Sequence, residues 1–326
     1  MKFLKFITAT GLLVAANAFI PAMAGDAGTA ERALKRDAVC TKCHDESESK
    51  PILSIYQTRH GVKADERTPG CQDCHGESDK HVKGDPNQKG RALPDVVFGT
   101  GVKASKHASP AAEQAEVCLG CHRSGKRQHW SGSQHEGQDM SCASCHEIHT
   151  THDRVLSKAT QPEVCFSCHK EQRAQVHRIS THPIDAGKMA CSDCHNPHGS
   201  TGPKLLVKNT VNEVCLSCHD EKRGPYLFEH QPVSDDCTNC HTPHGSTNTP
   251  LLKARLPWLC QECHSGDHAN GVYSGARLAG GGVTAVNGLN PFQAQSPAAQ
   301  IVGRDCLNCH SLIHGSNSPA GAKFQR

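Results

Sequence analysis

The chain of 326 residues carries 20 cysteines and 24 histidines but only 4% aromatic and 36% apolar side chains, well short of the roughly 45–50% apolar content of an ordinary globular domain. A hydrocarbon core of normal size is excluded, and something other than side chains must fill the interior. The formal charge is +3, and the sequence carries no nucleic-acid footprint, so no nucleic-acid partner is expected.

The opening stretch, "MKFLKFITATGLLVAANAFIPAMAGD", places Lys2 and Lys5 before an apolar run that ends at Ile20, with Ala22 and Ala24 flanking Met23. This is the pattern of a secretory signal peptide, residues 1–24, cut after Ala24. The run is shorter than the roughly 20 residues of a membrane-spanning helix. No cysteine near the cut could take a lipid, and no later segment is apolar enough to span as a helix. The mature chain, residues 25–326, is therefore expected to be exported, with no direct lipid insertion. Removal of Lys2 and Lys5 takes its formal charge from +3 to +1.

From there the cysteines fall, without remainder, into ten C-x-x-C-H words. These are Cys40/Cys43/His44, Cys71/Cys74/His75, Cys118/Cys121/His122, Cys142/Cys145/His146, Cys165/Cys168/His169, Cys191/Cys194/His195, Cys215/Cys218/His219, Cys237/Cys240/His241, Cys260/Cys263/His264 and Cys306/Cys309/His310. In such a word both thiols bond covalently to a c-type haem and the histidine becomes the proximal iron ligand. Residues three apart share one face of a helical turn, so both sulfurs reach one porphyrin edge while the next side chain is aimed at the metal. Zinc knuckles, disulfides or thioredoxin-like pairs would explain one such word, but not a histidine after all ten pairs. Ten covalently bound c-type haems are the expected cofactors. Ahead of two words, Thr160-x-x-Glu163 and Thr210-x-x-Glu213 predict capping boxes that start short helices.

An electron-transfer haem needs a sixth ligand, usually His or Met. The mature chain has only Met140 and Met189, but 14 histidines outside the words. Their order forms a unit repeated five times: haem word, histidine, haem word, histidine. The candidate distal ligands are His60 and His81, His135 and His149, His182 and His198, His230 and His244, His268 and His314. His107, His129, His152 and His177 fall outside that frame and are expected to be surface or propionate-contacting residues. In "CSDCHNPHGS", His195 and His198 stand three apart. Three residues span at most roughly 10 Å, too little to put an imidazole on each face of one porphyrin. The two must serve different irons, so that one histidine staples neighbouring haems together.

Between the words the chain is rich in Gly, Pro and Lys, as in "DKHVKGDPNQKGRALP", without sustained periodicity. The fold class expected is a multihaem cytochrome c: short helices and coil around a chain of ten haems, almost no sheet, elongated, and forming one domain of five two-haem repeats. Residues 269–300 interrupt the fifth unit and read as a long surface loop. About twenty haem propionates would make the holoprotein acidic unless Lys and Arg pair with them.

The ten words, together with "CSDCHNPHGS", "EKRGPYLFEHQPV", "LCQECH" and "CLNCHSLIHGSNSPAGAKFQR", resemble the MtrA/DmsE family of periplasmic decahaem cytochromes c over the whole mature chain. The resemblance implies two histidines on each iron. It also implies an insulated wire seated in an outer-membrane β-barrel partner, fed by periplasmic electron-donor cytochromes and emptied to an extracellular multihaem cytochrome or reductase. Two alternatives stay open. A soluble periplasmic shuttle needs the same haem row without a barrel. A multihaem reductase needs an iron with an open position, often marked by a C-x-x-C-K word or a missing distal ligand; no such word occurs and distal histidines are in surplus.

The intact mass of the exported protein should equal the chain from Gly25 onward plus ten haems retained under denaturing conditions. A smaller haem count, or a chain that keeps residues 1–24, would contradict the corresponding expectation.

Overall fold

The computed structural model describes residues 27–62, 67–84, 89–99, 106–264 and 305–325. The expected signal peptide, His268 and the 269–300 loop lie outside the described residues.

Each haem word builds its own local structure. In nine of the ten, the histidine N–H donates to the carbonyl of the first cysteine four residues earlier, at 2.8–3.1 Å; the remaining word is the helix Cys71–His75 itself. One α-turn per word suffices to put both sulfurs on the same side. Longer helices precede several words, among them Ala27–Thr41 and Ala111–Leu119. Val211–Cys215 starts with the expected box: Thr210 accepts from the Glu213 N–H, and the Glu213 carboxylate accepts from the N–H of Thr210. The box expected at Thr160 does not form. The Thr160 hydroxyl donates to the Arg154 carbonyl instead, Pro162 opens the helix Gln161–Phe166, and the Glu163 carboxylate lies 3.7 Å from Arg173. Proline already supplies a helix-ready φ at that position, so the start does not depend on the cap.

Within a unit, a polar side chain from the first word's helix holds the turn of the second. The Asp37 carboxylate accepts from the N–H of Cys71, Gln161 from that of Ser192, and Asn212 from that of Cys237; Gln114 accepts from the Ser141 hydroxyl. In all five units the two first cysteines are in contact: Cys40 with Cys71, Cys118 with Cys142, Cys165 with Cys191, Cys215 with Cys237 and Cys260 with Cys306. The described residues contain isolated bridges but no strand. Two of these bridges recur one unit apart and join neighbours: Ser180 pairs with Ser246, and Phe228 with Ser316, each through two backbone hydrogen bonds of 2.8–3.0 Å. Buried apolar side chains are few and scattered, including Val96, Phe166, Val176, Val214 and Leu259.

The glycine that follows the second lone histidine closes the join between units. Gly199 (φ +106°) lies against the His129 carbonyl and Gly245 (φ +146°) against that of Gln175, so a Cβ at either would collide with backbone. These φ values also disfavour any L side chain, by on the order of 1–3 kcal/mol. Gly199→Ala and Gly245→Ala should each lower the thermal midpoint and loosen the adjacent unit, as read by proteolysis; Gly132→Ala, in open space at φ +80°, should cost less than either.

Candidate haem-binding sites

The two cysteines of a word share a turn but not an environment, a difference that spacing alone does not predict. The first cysteine is half-buried in all ten words, where it meets the first cysteine of its partner word. The second is exposed in the first word of every unit, at Cys43, Cys121, Cys168, Cys218 and Cys263, and half-buried in the second word, at Cys74, Cys145, Cys194 and Cys240; Cys309, in the tenth word, departs from this alternation and is exposed. Chain that folds back over the second word accounts for two of the covered thiols. The Cys194 carbonyl accepts from the N–H of Val207, and the Cys240 carbonyl from that of Lys253. Burial raises the pKa of Cys145, Cys194 and Cys240, and each feels the charge of an exposed cysteine in the next unit: Cys168, Cys218 and Cys263 respectively. No disulfide joins any of the twenty.

Nine histidines outside the words face nine word histidines across a nearly constant gap. Ring centres are separated by 5.9 Å for His44/His81 and His60/His122, 6.1 Å for His75/His149, His146/His198 and His230/His264, 6.2 Å for His135/His169 and His241/His314, 6.0 Å for His195/His244 and 6.4 Å for His182/His219. An imidazole nitrogen sits about 2 Å from a bound transition metal, and the ring centre lies about 1 Å beyond it. Two imidazoles on opposite sides of one iron are thus about 6 Å apart, centre to centre. The donor set fits a haem at each of the nine places: two thiols on one turn, a histidine after them, and a second imidazole at the right distance.

The pairing follows one rule. The first lone histidine of a unit reaches forward to the first word of the next: His60 to His122, His135 to His169, His182 to His219, His230 to His264. The second reaches back to the second word of the previous unit: His149 to His75, His198 to His146, His244 to His195, His314 to His241. Unit one has no predecessor, and its His81 turns onto its own first word, at His44. His195 and His198 do face different partners. In the tenth word the His310 Nδ1 donates to the Lys323 carbonyl, and His268 lies outside the described residues. The four histidines outside the repeat, His107, His129, His152 and His177, are exposed, and His177 bonds Asp185 at 2.8 Å.

The outer ring nitrogens orient these side chains. Nδ1 donates to a backbone carbonyl in His75 (Val96), His81 (Ala92), His135 (Pro197), His149 (Ile52), His182 (Pro243), His195 (Lys204), His241 (Pro250) and His310 (Lys323). That bond fixes the tautomer and frees Nε2 for a metal. Carboxylates take the role in two cases: Glu48 on His44 at 3.0 Å and Asp153 on His146 at 2.7 Å. Burial lowers the pKa of His75, His122, His230, His244 and His314, and pushes His198 to about 4. Each is thereby held in the neutral form that ligates.

Beside His198 lie donors with no protein acceptor: Trp130 Nε1, Arg127 Nε and Nδ1 of His198 itself are buried and unpartnered. Trp130 stands 6.5 Å from the His198 ring, and the charge of Arg127 acts on both His198 and His122. Buried donors need acceptors, and haem propionates are the acceptors such a site would meet. Neither Arg127 nor Trp130, nor the carboxylates of Glu48 and Asp153, was signalled by sequence spacing, because their partners are set by tertiary contact.

A family model described as a doubled CXXCH motif matches residues 182–224 and 230–269, and one described as cytochrome c-type protein NrfB-like matches residues 71–162. The chain is 28% identical over 133 residues to the cytochrome c-type protein NrfB of Haemophilus influenzae, spanning 36% of this chain and 56% of that one. It is 44% identical over 293 residues to the multiheme cytochrome MtrA of Shewanella baltica (strain OS185), spanning 88% of this chain and 80% of that one. Short helices, no strand among the described residues and matches to the doubled motif define a multihaem cytochrome c, an electron-transfer protein with covalently bound c-type haems. Within that class, the chain belongs to the family of the multihaem cytochrome MtrA.

Removing one facing histidine should leave one iron five-coordinate. His198→Ala and His244→Ala should each convert one haem to high spin in the electron paramagnetic resonance spectrum of the oxidised protein, whereas His107→Ala, His129→Ala, His152→Ala and His177→Ala should leave the spectrum unchanged.

Proposed function

We propose that this protein carries ten c-type haems in one row, each iron held by two histidines, and conducts electrons along that row without substrate chemistry of its own. The word histidines supply the proximal ligands, and the ten in-frame histidines supply the distal ones. His268 completes the set at His310. It is the one in-frame histidine left over, and the final unit would then end the row as the first begins it, with a unit closing on itself. The observation that carries the reading is the reciprocal pairing, which links each unit to both neighbours through ligands of adjacent sites. A row of sites tied in this way holds its cofactors close together over a distance that one unit could not cover. A reductase would need an iron with an accessible position, and the nine facing imidazoles argue against that at nine of the ten places.

The row serves as a conduit from periplasm to cell exterior, within an outer-membrane β-barrel partner. Small periplasmic electron-donor cytochromes dock at one end, and an extracellular multihaem cytochrome or reductase receives electrons at the other. The expected signal peptide, residues 1–24, and the overall similarity to the multihaem cytochrome MtrA support that placement. No helix among the described residues is long and apolar enough to cross a membrane, whereas the lumen of a barrel is polar and can admit a hydrophilic plug. Contacts with the donors would be transient and salt-sensitive.

Liposomes loaded with a reducible dye and given reductant outside provide the test. Cytochrome and barrel together should reduce the enclosed dye, and neither should do so alone. If the cytochrome fractionates wholly with the soluble proteins and no barrel supports transfer, the shuttle reading replaces the conduit.

A further inference from the structure

The site built on His146 differs from its neighbours in what holds the ligand. Eight histidines of the haem sites donate Nδ1–H to neutral backbone carbonyls. His146 donates to the Asp153 carboxylate at 2.7 Å, and Asp153 is enclosed, its side chain 12% exposed against 27% for His146. The carboxylate is held in place from its other side. Its second oxygen accepts from the N–H groups of Val155 and Glu147, both at 3.4 Å, as Asp153 caps the short turn Arg154–Leu156. Glu48 makes a similar bond to His44 at 3.0 Å, but that pair is 39% and 35% exposed, where water screens the charge.

A carboxylate on the outer nitrogen of an axial imidazole makes the inner nitrogen a stronger donor. It also places a fixed negative charge one ring away from a metal that gains a positive charge on oxidation, in surroundings where charges interact strongly. Both effects favour the oxidised iron. We infer that Asp153 is a potential-setting residue: acting through His146, it lowers the reduction potential of the haem attached at Cys142 and Cys145. The charge of Arg127 acts on the opposite histidine, His198, and works in the other direction, so the claim concerns the shift that Asp153 produces and not the rank of this site in the row. In a row of ten sites, a lowered interior site is one that electrons traverse without resting there.

The inference rests on His146 being an axial ligand. A missing haem at that word would appear in the haem count of the unaltered protein, before any variant is titrated. The test is Asp153→Asn, which keeps an oxygen acceptor and removes the charge, followed by a spectroscopic redox titration of the holoprotein. One tenth of the titrating amplitude should move to higher potential, by at least the equivalent of about a tenfold change in the ratio of reduced to oxidised haem, about 59 mV for one electron, with every iron still low-spin. Glu48→Gln should give a smaller rise. An unmoved titration, a fall, or a high-spin haem in Asp153→Asn would overturn the inference, as would an equal or larger shift from Glu48→Gln. Should Asp153→Asn fail to assemble, Asp153→Glu retains the charge and its titration should overlay that of the parent; a rise there would count against the role.

Discussion

An iron in a porphyrin takes its two axial ligands from opposite faces, and a chain cannot wrap a macrocycle in three residues. The rest of the structure follows from that constraint. In the word containing Cys191, Cys194 and His195, a second histidine stands at His198, so the second imidazole is committed to another site. Apart from His81, which turns onto His44 of its own unit, each in-frame histidine among the described residues faces a word histidine of a neighbouring unit. The bridges Ser180 to Ser246 and Phe228 to Ser316, and the glycines at 199 and 245 pressed against foreign carbonyls, are the backbone geometry that such exchange demands. Few apolar side chains are buried because ligation and covalent attachment take over the stabilising work that a hydrocarbon core performs elsewhere.

Much of this was legible before any coordinates. A C-x-x-C-H word is local: its turn, its paired sulfurs and its aimed histidine are encoded within five residues, so the words could be counted and their geometry anticipated. The division of the remaining histidines into in-frame and surplus residues followed from order alone, and the nine in-frame histidines within the described residues all face word histidines. What order could not supply was direction. That His135 looks forward to His169 while His149 looks back to His75 depends on contacts between segments far apart in sequence, such as the His135 bond to Pro197 and the His149 bond to Ile52. The unequal cover of the thiols was hidden for the same reason: Cys218 and Cys240 stand at the same place in words of the same form, and the chain returning at Lys253 covers the second.

Local signals failed where a stronger neighbour intervened. Thr160 and Glu163 have the spacing of a capping box, yet Pro162 sets the first turn and leaves both side chains free to bond elsewhere. Thr210 and Glu213 have no such competitor and form the box. Asp153 shows the opposite limit. It is one acidic residue in an ordinary run, "THDRVL", and only the fold reveals that its carboxylate is enclosed and bonded to His146. Residues that define a site are spaced by the chemistry of the cofactor, whereas residues that adjust it are placed by packing, which leaves no period to read.

The alternation of forward-reaching and backward-reaching histidines also sets what can be added to or taken from the chain. Every interior unit turns one histidine in each direction and faces one from each, so interior units are interchangeable in their demands. A whole unit inserted between two others would find its donors and acceptors waiting, and the row would grow with every iron still served. A single haem word inserted alone would break the parity: its iron would compete for a histidine already committed, and the mismatch would be passed to the units beside it. The first unit, where His81 turns back onto His44, needs no ligand from any predecessor. Length is thus adjustable in steps of two haems, with the terminus held constant.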